Sequence, residues 1–83
     1  MSLYILSYDL RKQRDYKTLY DELTKLNAIS VLESDWCFKR INTNAKDLRD
    51  HFKKFIDDAD GLFVAEITAW ASHKAPAGTD DLP

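Results

Sequence analysis

The chain has 83 residues, of which 45% are apolar and 31% charged, a globular composition with room for one domain. No run approaches the ~18 consecutive apolar residues of a membrane span, and the start of the chain lacks the basic, apolar and small-residue order of a secretory leader. The net charge of −2 is unevenly placed: residues 1–56 hold eleven Lys/Arg against eight Asp/Glu, and residues 57–83 hold one Lys against six Asp/Glu. A cytoplasmic protein with no membrane partner is therefore expected, and the basic excess typical of a nucleic-acid binder is absent from the whole chain but present in its first two thirds.

Residues 3–9, Leu-Tyr-Ile-Leu-Ser-Tyr-Asp, are rich in aromatic and β-branched types and predict a buried strand. A polar loop over residues 10–14 follows. Asp15 is placed to cap a helix reaching about Leu26, with Tyr16, Leu19, Tyr20, Leu23 and Leu26 on one stripe and Asn27 as its stop. Residues 29–41 are strand-like but too long for one strand, so a turn at Glu33-Ser34-Asp35 divides them into strands at 29–33 and 36–41. Asn44 caps a second helix running to about Ile56, with Ala45, Leu48, Phe52, Phe55 and Ile56 as its apolar face. Residues 57–61 form a turn, and residues 62–68 a fourth strand. From Trp70 the composition shifts to Ser, Ala, Pro, Gly and Asp, which divides the chain into a domain over 1–69 and an irregular tail over 70–83.

The order β-α-β-β-α-β predicts an α+β, ferredoxin-like fold: a four-stranded antiparallel sheet in the order 4-1-3-2 with two helices on one face. The other face is then uncovered by helices. Because charge avoids the core, Asp9 and Glu66 are assigned to that uncovered face, which brings Ile5, Leu62 and Val64 with them. Pairing Asp9 with Leu62 and Glu66 with Ile5 separates the two carboxylates by on the order of 13 Å, too far for a catalytic pair within one chain. An uncovered apolar face predicts a homodimer, with the tail folding back over it as the alternative.

Standard catalytic signatures are missing. There is no glycine-rich phosphate loop, GxSxG elbow or His-Glu-x-x-His. His51 and His73 read as solvated. Cys37, the single cysteine, reads as an inert, at least half-buried thiol, and it excludes an intrachain disulfide and a cysteine-based metal site. What remains is Asp9 at a strand end, followed by Arg11, Lys12 and Arg14. A hard oxygen ligand beside phosphate-attracting cations is the pairing that phosphodiester hydrolysis needs, since Mg²⁺ takes carboxylate oxygen and activates a bound water. A two-fold axis through this edge brings two Asp9 side chains to one cation. The plainer alternative is that Asp9 only caps the loop or pairs with Arg11 or Arg14.

Tyr4-Ile5-Leu6-Ser7-Tyr8-Asp9-Leu10, the basic loop and helix after it, and Leu32-Glu33-Ser34-Asp35-Trp36 resemble the small CRISPR-associated ferredoxin-like endoribonucleases of spacer acquisition. The chain also resembles their relatives, the virulence-associated protein D toxins and stand-alone homologues. The resemblance spans roughly residues 4–68 and departs from the family pattern in Trp36, where Phe is usual, in the acidic net charge, and in a tail beyond Thr68 that does not read as a further strand. It implies a homodimer, a divalent metal and Asp9 as metal ligand. Ser34 matches the hairpin serine, and Arg11 or Arg14 the loop arginine. Three functions follow as expectations: a Mg²⁺-dependent endonuclease with Asp9 on the metal and Arg11, Lys12, Arg14 and Ser34 on phosphates; a non-catalytic dimeric module for nucleic acid or protein; and a toxin-like ribonuclease.

Overall fold

The computed structural model describes residues 1–12, 15–71 and 73–75. Its elements are Ser2–Asp9 (β1), Lys17–Lys25 (α1), Ile29–Leu32 (β2), Asp35–Arg40 (β3), Ala45–Phe52 (α2), a 3-10 turn Lys53–Phe55, and Gly61–Ile67 (β4). The sheet runs β2-β3-β1-β4, with each neighbouring pair antiparallel. The fold is α+β and fits the expected ferredoxin-like arrangement.

Local chemistry explains most boundaries. Asn44 is extended, and its side-chain oxygen accepts the Asp47 N–H at 2.8 Å, satisfying an orphan donor at the start of α2. Asn27 takes φ 57°, the left-handed conformation that ends a helix, after Leu26 and Asn27 have closed on the last carbonyls of α1. The α1 start differs from expectation. The helix begins at Lys17, with Asp15 Oδ1 accepting the Lys17 N–H at 2.8 Å from just outside it. Tyr16 is the residue that fixes this entry: it is buried, and its hydroxyl donates to Asp60 Oδ2 at 2.7 Å, so a long-range contact overrides the local cap. The second helix is also shorter than expected, tightening into the 3-10 turn after Phe52, with Phe55 and Ile56 still packed on the core.

Both helices lie on one side of the sheet. Tyr4 and Leu6 of β1 and Phe38 of β3 meet Leu19 and Leu23 of α1 and Leu48 and Phe52 of α2 in a single cluster. Phe38, Phe52, Leu6, Leu19 and Leu23 are fully buried. Each such side chain contributes roughly 1.5–3 kcal/mol through its burial. Phe38 packs on Tyr4 and Phe52 at ring separations of 6.1 and 6.0 Å, which ties the central strands to α2.

The register corrects the expected division of faces. Tyr4 pairs with Glu66, Leu6 with Val64, Tyr8 with Leu62, and Asp9 with Gly61. This is one residue away from the pairing of Asp9 with Leu62, and a one-residue slip exchanges the two faces of a strand. Leu62 and Val64 therefore pack on the helix-side core. Glu66 shares their face, but it sits opposite Tyr4 near the sheet end and stays exposed, so the rule that charge avoids the core does not force it to the other side. The face without helices carries Leu3, Ile5, Ser7 and Asp9 of β1 beside Ile67, Ala65, Phe63 and Gly61 of β4. Asp9 and Ile5 are where they were expected, and Phe63 takes the place assigned to Leu62 and Val64.

Candidate functional site

The end of β1 is held from both flanks. On one side the Tyr8 N–H donates to the Ser34 carbonyl at 3.1 Å, continuing the ladder into the turn between β2 and β3. On the other, Asp9 faces Gly61 at the start of β4. Asp9 thus stands between the 33–34 turn and the 57–60 turn, as its strand-end position predicts. Its side chain is 71% exposed and borders a shallow depression of about 240 Å³ whose lining includes Ser7, Gly61 and Phe63.

Arg11 lies directly beside this carboxylate. Its Nε donates to Asp9 Oδ2 at 3.1 Å, a guanidinium nitrogen donates to the Ala59 carbonyl at 2.8 Å, and its backbone N–H donates to Asp60 Oδ1 at 2.7 Å. Three bonds therefore hold Arg11 across the strand end, although side chain and partner are both more than half exposed. Asp60 gathers donors from three places: Arg11 N–H, Tyr16 O–H at 2.7 Å and Asp57 N–H at 2.8 Å. It fastens the loop after β1 to the turn before β4. The sequence places the Asp57–Asp60 turn on the same edge as Asp9 and Arg11, as found; the Asp-Asp-Ala-Asp-Gly run also signals the local Asp57 N–H bond, whereas nothing in it signals Tyr16, 44 residues away.

Of the other expected site residues, Lys12 is exposed after Arg11, and Ser34 is half-buried beside Tyr8 with its carbonyl in the ladder. Arg14 lies outside the described residues. Glu66 is five residues from Asp9 along the register and on the opposite face, about 16 Å away at the usual strand rise. The two carboxylates do not form a pair.

His51 differs from the solvated side chain expected. Its Nε2 lies 2.7 Å from Glu22 Oε2, and its ring meets Phe52 and Phe55 edge-on, so it joins α2 to α1. Cys37 is buried as expected; burial first, and the Asp35 charge second, push its thiol above the usual range. That shift disfavours the thiolate a nucleophile needs. Tyr8 is pushed up by burial as well, partly offset by the Trp36 indole N–H donating to its hydroxyl at 3.2 Å.

Among the described residues no group of three His, Cys, Asp or Glu side chains is arranged to hold a metal ion. The donor chemistry at Asp9 nonetheless suits Mg²⁺, which is often bound by one or two carboxylates together with waters and substrate phosphates. A cation there meets one carboxylate per chain, already bonded by Arg11. No known protein-family model and no solved structure matches the chain.

Proposed function

We propose that the chain works in the cytoplasm as a homodimeric, Mg²⁺-dependent endonuclease on RNA or DNA phosphodiesters, related in kind to the CRISPR-associated proteins that its strand-end motif resembles. The observation that carries this reading is Asp9: an exposed carboxylate on the face without helices, at the end of a central strand, with a guanidinium beside it. Bound Mg²⁺ supplies a Lewis acid and an activated water. Asp9 of each protomer provides oxygen to it, and Arg11, Lys12, Arg14 and Ser34 hold and orient the phosphates. The uncovered face, with Ile5, Ala65, Ile67 and an exposed Phe63, supplies the apolar surface that a second copy covers.

The test is cleavage of RNA and DNA by the wild type and Asp9→Ala, with and without Mg²⁺. Mg²⁺-dependent cleavage lost in the variant supports the reading; equal activity in both proteins rejects the role of Asp9. A monomer in sedimentation at micromolar concentration rejects the dimer. One observation favours a second reading, a non-catalytic dimeric module for nucleic acid or protein: the lone carboxylate is engaged in an ion pair. Salt-sensitive nucleic-acid binding without cleavage would support it.

A further inference from the structure

Gly61 is the residue opposite Asp9 in the ladder. A Cβ placed on it would stand 3.1 Å from the terminal nitrogen Nη2 of Arg11 and 3.4 Å from Asp9 Cβ. The second distance is ordinary contact. The first is tighter than most side-chain contacts, so a residue with a Cβ there moves the end of Arg11 by a few tenths of an ångström. That nitrogen is the tip of a flexible side chain that is more than half exposed, so what resists the shift is the pair of bonds from Nε to Asp9 and from another guanidinium nitrogen to the Ala59 carbonyl at 2.8 Å. A glycine inside a strand often marks close approach of another group, and here that group is an arginine.

We infer that Gly61 is a positioning residue, the seat on which Arg11 lies to clasp Asp9, and that the clasp makes the guanidinium a built-in competitor of any divalent cation for the Asp9 carboxylate. The second half rests on the proposed metal role of Asp9. The first half does not. A cation that takes Asp9 Oδ2 displaces the Arg11 Nε–H, and the released guanidinium then faces outward from the same strand end with its charge unpaired. An anionic phosphate group of a substrate is a suitable new partner for it. Cation binding and phosphate capture at this edge are therefore coupled through one side chain.

The experiment follows the Arg11 Nε–H by nitrogen-15 NMR in the wild type, Gly61→Ala, Gly61→Val and Asp9→Asn, each checked for retained fold by circular dichroism. The wild-type signal should be slowed in solvent exchange. Exchange should speed up in Gly61→Ala, more so in Gly61→Val, and in Asp9→Asn. Mg²⁺ is then titrated alone. Because exposed ion pairs are weak, Arg11→Ala and Gly61→Val should each bind Mg²⁺ about two- to five-fold more tightly than the wild type. Gly61→Val should add nothing in the Arg11→Ala background, as expected when one residue acts only through the other. Folded Gly61 variants with a wild-type Arg11 signal overturn the seat. An additive double variant overturns the dependence on Arg11. If no protein binds Mg²⁺, the metal reading fails while the NMR series still judges the seat.

Discussion

The two faces of the sheet come from the same strands, one residue apart, yet they are built for different neighbours. On the helix side Tyr4, Leu6 and Phe38 are 2%, 0% and 0% exposed, and Leu62 and Val64 complete the layer. On the other side the cross-strand pairs are smaller or wetter: Ile5 with Ala65, Ser7 with Phe63, Asp9 with Gly61. Phe63, the largest side chain of that face in β4, is 64% exposed. The difference teaches that one face stores the stability of the single chain, whereas the other holds apolar surface that the described fold leaves open to solvent.

The sharpest way to break that contrast is to remove one large ring from the covered face. Phe38 touches Tyr4 and Phe52 and is fully buried. Phe38→Ala should cost about 3–5 kcal/mol, the sum of lost transfer energy and a cavity. Urea denaturation read by circular dichroism measures it. A loss under about 1 kcal/mol would show that the two faces are energetically alike.

A smaller test on the same face concerns polar order. The Tyr4 hydroxyl donates to the Thr43 carbonyl at 3.1 Å, joining β1 to the segment just before α2. Tyr4→Phe keeps the ring and removes the bond, so it should cost about 0.5–1.5 kcal/mol. A neutral substitution would mean that water replaces the tyrosine there and that the covered face is more open than its burial implies.

These residues also show how far the sequence could be read. The element order, the strand order and the Asn44 cap follow from local chemistry: strand-like types, short turns and an extended Asn before an amphipathic run. The helix-side roles of Leu19, Leu23, Leu48 and Phe52 follow from helical spacing. The faces of β4 were not legible, because alternation in Leu-Phe-Val-Ala-Glu-Ile permits either side to be buried. Register decides between them, and register is set by the turn that ends at Gly61, held by Asp60 and Arg11. Asp9 as a prominent carboxylate was visible from its strand-end position. Its pairing with Arg11 was also foreseen, as the plainer alternative to a metal role, and the structure shows that pair. The rest of the clasp was not legible, because it depends on what Gly61 lacks and on the Ala59 carbonyl, 48 residues from Arg11.

On the uncovered face the expected effects on the single chain are smaller. Phe63→Ser should change the unfolding free energy by less than about 0.5 kcal/mol when the chain is dilute, since its ring is already in water. At higher concentration the same variant should weaken self-association, which sedimentation reads. A large loss of stability in dilute solution would show that Phe63 is packed against the chain itself, and the contrast between the faces would shrink.

Cys37 gives the finest test, because it lies on the uncovered face and is nonetheless 2% exposed. Register explains this: its neighbours are Ile5 on one side and Ile29 on the other, and a small thiol sinks between them. Burial raises its pKa, so the folded chain holds the thiol proton more tightly than the unfolded chain does. The stabilising contribution is then full below the free thiol range, near about pH 8.5, and is lost as pH rises through that range toward the folded value. Urea midpoints should fall more steeply above that pH for the wild type than for Cys37→Ala, which keeps the higher-pH losses from the raised Tyr8 hydroxyl and the raised Lys17 ammonium. Equal slopes in the two proteins would mean that the thiol is as well solvated as in the unfolded chain. Isoleucines 5 and 29 would then have to part readily, and the uncovered face would have no dense region of its own.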